Sequence, residues 1–140
     1  MPCRADIIAE AYQWIGTPHH HQASAKGAGC DCKGLIWGIA REAAMPEATH
    51  PLMAHSAYSY NIDCDFLAAS MPQIFRRVDE PRLGDVAVIV LAGRPQHLGL
   101  IMPDHKILHS YQRGPGCVIN VPIGLSRKFD SFWTWPSLGE

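Results

Sequence analysis

Apolar positions recur at helical spacing in the first half of the chain and at strand spacing in the second. Ile7, Ile8, Ala11, Trp14 and Ile15 mark one face of a first amphipathic helix, with Asp6 able to cap its start and Gly16-Thr17-Pro18 ending it. Residues 19–30, from His19-His20-His21-Gln22 into Ala, Ser, Lys and Gly, have no period. They predict a loop of about the length at which irregular segments usually carry function. From Cys32 onward Leu35, Ile36, Ile39, Ala40 and Ala43 mark a second helix, with Asp31 at its N-cap and Met45-Pro46 at its far end. Gly34 and Gly38 each cost about 1 kcal/mol against Ala inside a helix. Their presence predicts a close neighbour on that side and a central, tightly packed helix.

Residues 46–63 are rich in Pro, His and Tyr and lack a period, while Phe66, Leu67 and Met71 suggest a short third helix. The pattern then changes to strands: Ile74–Val78, Asp85–Leu91, His97–Met102, Lys106–Tyr111 and Cys117–Val121. Helices followed by strands predict an α+β fold with an antiparallel sheet, and 140 residues suit one domain over 1–140. No repeat or heptad pattern interrupts it.

Composition narrows the functional classes. A net charge of -1 and no basic cluster longer than Arg76-Arg77 argue against a nucleic-acid partner. No stretch approaches the roughly 18 apolar residues of a membrane span, and the N-terminus lacks a secretory pattern, so a chain made in the cytoplasm without a signal peptide is expected. Five cysteines (Cys3, Cys30, Cys32, Cys64 and Cys117) form an odd, irregularly spaced set, which argues against a disulfide framework and leaves room for a reactive thiol.

Cys32 follows the Asp31 cap directly, where free backbone N–H groups and the helix dipole favour a thiolate and can hold an oxyanion; Lys33 adds a positive charge. His97 opens the strand His-Leu-Gly-Leu-Ile-Met and is a candidate base, with His109 on the next strand as its orienting partner. Parity tests the pair. If the hairpin loop is Pro103-Asp104-His105, Met102 faces Lys106, and His97 and His109 lie on one face as diagonal neighbours, about 7–8 Å apart at the backbone. A two-residue loop would put them on opposite faces.

Gly16-Thr17-Pro18, Gly29-Cys30-Asp31-Cys32-Lys33-Gly34-Leu35, Leu83-Gly84-Asp85-Val86, His97-Leu98-Gly99-Leu100 and Ile107-Leu108-His109 resemble, in order and spacing, the motifs of NlpC-type papain-fold cysteine peptidases. The Gly-Cys-Asp-Cys form and the His-Gln-Ala-Ser loop are most similar to the short tail peptidases of phages and gene transfer agents. The resemblance implies a nucleophile helix packed on an antiparallel sheet, a Cys32-His97-His109 triad, and substrate and oxyanion surroundings that include His19, Asp31 and Lys33. It also implies hydrolysis of peptidoglycan stem peptides without a cofactor. Its partners would be tail-tip or hub proteins, and it would act in the recipient periplasm after delivery by a phage-like tail. Two positions depart from the family pattern and bear on substrate preference. His19 stands where Tyr is usual, and Lys33 where Ser or Leu is usual.

Blander readings stand beside these. Cysteine is usually a buried apolar residue, and Cys30, two positions from Cys32, fits that role, though it can also cross-link with Cys32 under oxidation. Adjacent histidines at 19–21 cannot all face one ion and are more often solvated; His50, His55 and His105 are expected in water. Trp14, Trp37, Trp133 and Trp135 read as core or rim, and Asp85 as a turn cap. A catalytically silent tail protein retaining the peptidase fold and a Cys/His metal module are the rival classes.

Overall fold

A computed structural model describes residues 2–54, 64–124 and 128–140. Helix α1 (Arg4–Tyr12) starts at Cys3, and Asp6 caps it from the third helical position, its Oδ2 accepting the Cys3 N–H at 2.8 Å. It ends one turn earlier than the periodicity predicts. Trp14 is still fully buried, but Ile15 lies in the following turn and is exposed. A two-stranded hairpin, β1 (Ser24–Ala25) and β2 (Gly29–Cys30), then occupies part of the segment expected to be loop.

Helix α2 (Cys32–Glu42) is the centre of the molecule. Its Asp31 cap accepts the Gly34 N–H at 2.8 Å, as the sequence predicts. Both glycines have the close neighbours that their cost requires: a Cβ on Gly34 would lie 1.8 Å from the Ala23 carbonyl oxygen, and one on Gly38 2.1 Å from the Trp14 ring. A 3₁₀ turn (Pro46–Thr49) and the one-turn α3 (Pro51–Ala54) follow, the latter started by His50 Nδ1 accepting the Leu52 N–H. His50 is therefore partly buried rather than solvated, whereas His55 falls outside the described residues. The third helix suggested by Phe66, Leu67 and Met71 is α4 (Cys64–Ile74), which takes Ile74 from the strand predicted to begin there.

Six strands form the main sheet: β3 (Arg76–Val78), β4 (Val86–Leu91), β5 (Arg94–Met102), β6 (Lys106–Ser110), β7 (Val118–Pro122) and β8 (Phe129–Thr134). Their order is β3-β8-β4-β5-β6-β7, every pairing antiparallel. The fold is α+β. β8 was not foreseen; Asp130 and Ser131 interrupt the apolar run that would have marked it. The unbroken apolar run of β4 follows from burial on both faces. Val86 and Val88 join Leu98, Leu100, Met102 and Leu108 under the helices, against Ile7, Trp14, Leu35 and Ile39. Ala87 and Ile89 join Ile101 and Ile107 on the other face, covered by Val121, Phe129 and Phe132.

Asp85 is a structural anchor. Its carboxylate accepts the Arg82 N–H at 2.8 Å, the Thr134 hydroxyl at 2.7 Å and the Arg4 guanidinium at 2.7 Å, tying α1 to the sheet. No helix among the described residues is long and apolar enough to cross a membrane.

Candidate active site

The hairpin loop between β5 and β6 is Pro103-Asp104-His105, so Met102 pairs with Lys106, Ile101 with Ile107 and Leu100 with Leu108. In that register His97 and His109 share a face, and their side chains meet: His97 Nε2 lies 2.9 Å from His109 Nδ1, with ring centroids 5.1 Å apart. Both imidazoles are buried. Tyr111 closes over them, its ring centroid 6.1 Å from that of His97 and 5.5 Å from that of His109. Gly99, the residue that the register sets opposite His109, has no room for a Cβ because Ile107 lies within 2.8 Å of where it would sit.

Past Leu100↔Leu108 the β5/β6 ladder carries no further pairs. A cavity of about 400 Å³ is lined by Cys32 and His97 together with His19, Asp31, Ser110 and Arg113. A second cavity, of about 720 Å³, reaches His97 and His109 from the face opposite the helices.

His19 enters the first cavity because the Gly-Thr-Pro run is held as an extra strand. Gly16 N–H bonds to Val118 O at 2.9 Å, Val118 N–H to Thr17 O at 2.8 Å, His19 N–H to Gly116 O at 2.7 Å and Cys30 N–H to Pro18 O at 2.9 Å. The His19 ring Nδ1 lies 2.9 Å from Ser110 Oγ, and the Ser110 hydroxyl donates to Cys30 O at 2.8 Å. Burial first, with contributions from the nearby His21 and His20, holds His19 below the ordinary histidine pKa despite the opposing Asp31 carboxylate. His20 is exposed, and His21 Nδ1 lies 3.9 Å from Asp31 Oδ2.

Helix position alone misjudges the thiol. Burial, and after it the Asp31 carboxylate, push Cys32 up to about 12, against the Leu98 and Lys33 backbone N–H groups that favour the thiolate. The Lys33 ammonium does not reach the cavity: the side chain is buried, Nζ lies 5.3 Å over the Phe66 ring, and burial lowers its pKa to about 8. The Asp31 carboxylate is likewise engaged, accepting Gln22 N–H and Gly34 N–H at 2.8 Å each, so it organises the loop and the helix start. Cys30 is fully buried and its thiol is also pushed up to about 12, chiefly by burial.

The structure thus brings Cys32, His97, His109, His19 and Asp31 to one place and turns the Lys33 side chain towards α4. Ser110, Tyr111 and Arg113 were missed. Strand parity sets Ser110 on the opposite face from His109, which hides its part in the site until the ladder is seen to end at Leu108.

No family model matches this sequence, and no curated protein matches it. Solved structures do. The NlpC/p60 domain of the peptidoglycan hydrolase SagA aligns over 94% of this chain and 98% of its own, at 19% identity and a TM-score of 0.59. An NlpC/P60 family protein from Bacillus cereus aligns over 96% of this chain at 18% identity and a TM-score of 0.64, this chain spanning 40% of its length. The peptidoglycan hydrolase RipB from Mycobacterium tuberculosis aligns over 94% of this chain and 63% of its own, at 20% identity and a TM-score of 0.54. At these identities the likeness concerns the backbone, and it agrees with the arrangement of α2 on an antiparallel sheet described above: the chain has the papain-like fold of the NlpC/p60 domains.

Proposed function

We propose that the chain is a cysteine peptidase acting on peptidoglycan stem peptides, with Cys32 as nucleophile, His97 as general base and His109 as the group that orients it. The observation that carries this reading is the buried His97–His109 hydrogen bond at 2.9 Å, beside a cavity that His97 shares with Cys32. A neutral His97 that donates Nε2–H to His109 Nδ1 keeps its Nδ1 lone pair for the thiol proton. The sulfur then attacks the peptide carbonyl. The Cys32 N–H, at the first helical position, has no carbonyl four residues back and is available to the oxyanion. The leaving amine takes the proton from His97, and water releases the acyl group by the reverse sequence.

With a thiol held near 12, thiolate is scarce without a base. His97→Ala is therefore expected to lower the rate at pH 7 by about 10²–10⁴-fold. The remaining rate should climb about tenfold per pH unit between pH 7 and 9, as the thiolate fraction rises towards the folded pKa. A residual rate that stays flat with pH would remove His97 from the base role. The peptidoglycan substrate is favoured by the NlpC motifs and by the fold shared with SagA and RipB.

The site of action is part of the same proposal. The motif resemblance to tail peptidases favours delivery by a phage-like tail, with the chain docked on a tail-tip or hub protein and active in the recipient periplasm. Proteomics of purified particles should find the chain in intact particles. Finding it only as free protein in the lysate would end the delivery proposal and leave the peptidase reading in place.

A further inference from the structure

We infer that His19 meets the substrate as a hydrogen-bond acceptor through Nε2, locked in the Nδ1–H form by Ser110, and so selects a substrate N–H group rather than stabilising the oxyanion. The inference rests on the peptidase reading for its substrate and on proton counting for its chemistry.

Ser110 has one hydroxyl proton and two short contacts. The 2.8 Å approach of Ser110 Oγ to Cys30 O is between two oxygens, and the carbonyl has no proton to give, so the hydroxyl proton must lie there. The 2.9 Å contact between Ser110 Oγ and His19 Nδ1 then needs its proton from the ring. Reversing the direction would satisfy His19 but leave two oxygen lone pairs facing each other at 2.8 Å. Ser110 is fully buried and sits on β6, while Cys30 O also accepts the His20 N–H at 3.0 Å, so both ends of the relay are fixed by backbone.

With Nδ1 committed, Nε2 is the ring nitrogen that His19 has left for a ligand in the cavity it shares with Cys32. Burial keeps the ring neutral near pH 7 although Asp31 opposes this, with His20 and His21 acting in the same direction as burial. A neutral Nε2 in this tautomer is a lone pair. It can accept a proton-bearing nitrogen and cannot donate to an oxyanion. The tyrosine that the family resemblance would put here has a hydroxyl able to do either, so His19 narrows the choice. Ser110 is in this account a positioning residue that acts through His19.

Two readouts test this on the whole chain. Long-range ¹H–¹⁵N correlation on ¹⁵N-labelled protein at pH 7.5, without substrate, should show His19 Nδ1 protonated and Nε2 bare, and Ser110→Ala should release the ring to the other tautomer while amide dispersion reports an intact fold. A wild-type ring protonated at Nε2 overturns the inference whether or not the protein is a peptidase. In turnover of a soluble stem peptide, His19→Phe should raise KM about tenfold with little change in kcat, the scale of one lost hydrogen bond. His19→Gln, which keeps an acceptor, should recover part of that loss. A fall in kcat of about 10²–10³ with KM unchanged would instead mark an oxyanion donor and overturn the inference. Repeating the comparison with the des-amino peptide, whose first residue carries no N–H, tells the two sources of N–H apart: the KM effect disappears if the partner is a terminal ammonium and persists if it is an internal amide. Absence of wild-type turnover would count against the peptidase reading, with the tautomer still deciding the chemistry of His19.

Discussion

Cys32→Ala is expected to abolish hydrolysis, by on the order of 10⁵-fold or more, while Cys30→Ala keeps most of it. The two thiols are two residues apart, both buried, and both pushed up to about 12, so neither burial nor acidity separates them. Position does. Cys32 begins α2 and lines the cavity with His97. Cys30 lies on β2 and contributes its backbone, its N–H to Pro18 and its carbonyl to Ser110 and His20, all of which survive substitution by Ala. In the proposed mechanism loss of Cys32 removes the covalent route, and groups that act as a unit are lost together. An inactive Cys30 variant beside an active Cys32 variant would exchange the two assignments.

Gly34→Ala is expected to destabilise the fold by about 3 kcal/mol or more, although Ala is the better helix former by about 1 kcal/mol. The added methyl would sit 1.8 Å from Ala23 O and 2.9 Å from Ala23 C. Those are backbone atoms, and the same carbonyl accepts the Asp31 N–H at 3.3 Å, so no rotamer change relieves the clash. The loop must leave the helix, taking with it the Gln22 N–H that Asp31 holds at 2.8 Å. For a chain of this size, 3 kcal/mol corresponds to a fall in Tm of about 10 °C, read by thermal unfolding. A variant as stable as the parent would show that the loop and α2 are not packed in this way. Gly38→Ala would set its methyl 2.1 Å from the ring of the fully buried Trp14 and is expected to destabilise the fold as well.

Much of the site could be read in the sequence because it depends on local rules. Asp31 capping α2 and the cost of Gly34 and Gly38 are one-helix statements, and the three-residue hairpin fixes which face His97 and His109 share. What escaped depends on tertiary distances. Ile15 fits the periodicity of α1, but the helix ends before it and the residue is exposed. Lys33 is next to Cys32 in sequence, yet the turn of the helix carries its ammonium to Phe66. The helix-start argument for a thiolate names a real effect and omits a larger one, since burial cannot be seen in a motif. Ser110 was invisible because its importance comes from the end of a ladder, and β8 because its polar residues break the apolar pattern.

The central claim is that a Cys32-dependent peptide bond cleavage takes place in the cell-wall stem. Digestion of purified peptidoglycan with the native chain, followed by mass analysis of the soluble products, tests it most directly. The account predicts peptide fragments cut within the stem, absent when Cys32→Ala replaces the native protein. Intact stems after digestion, or the same fragments from the Cys32→Ala protein, would contradict it.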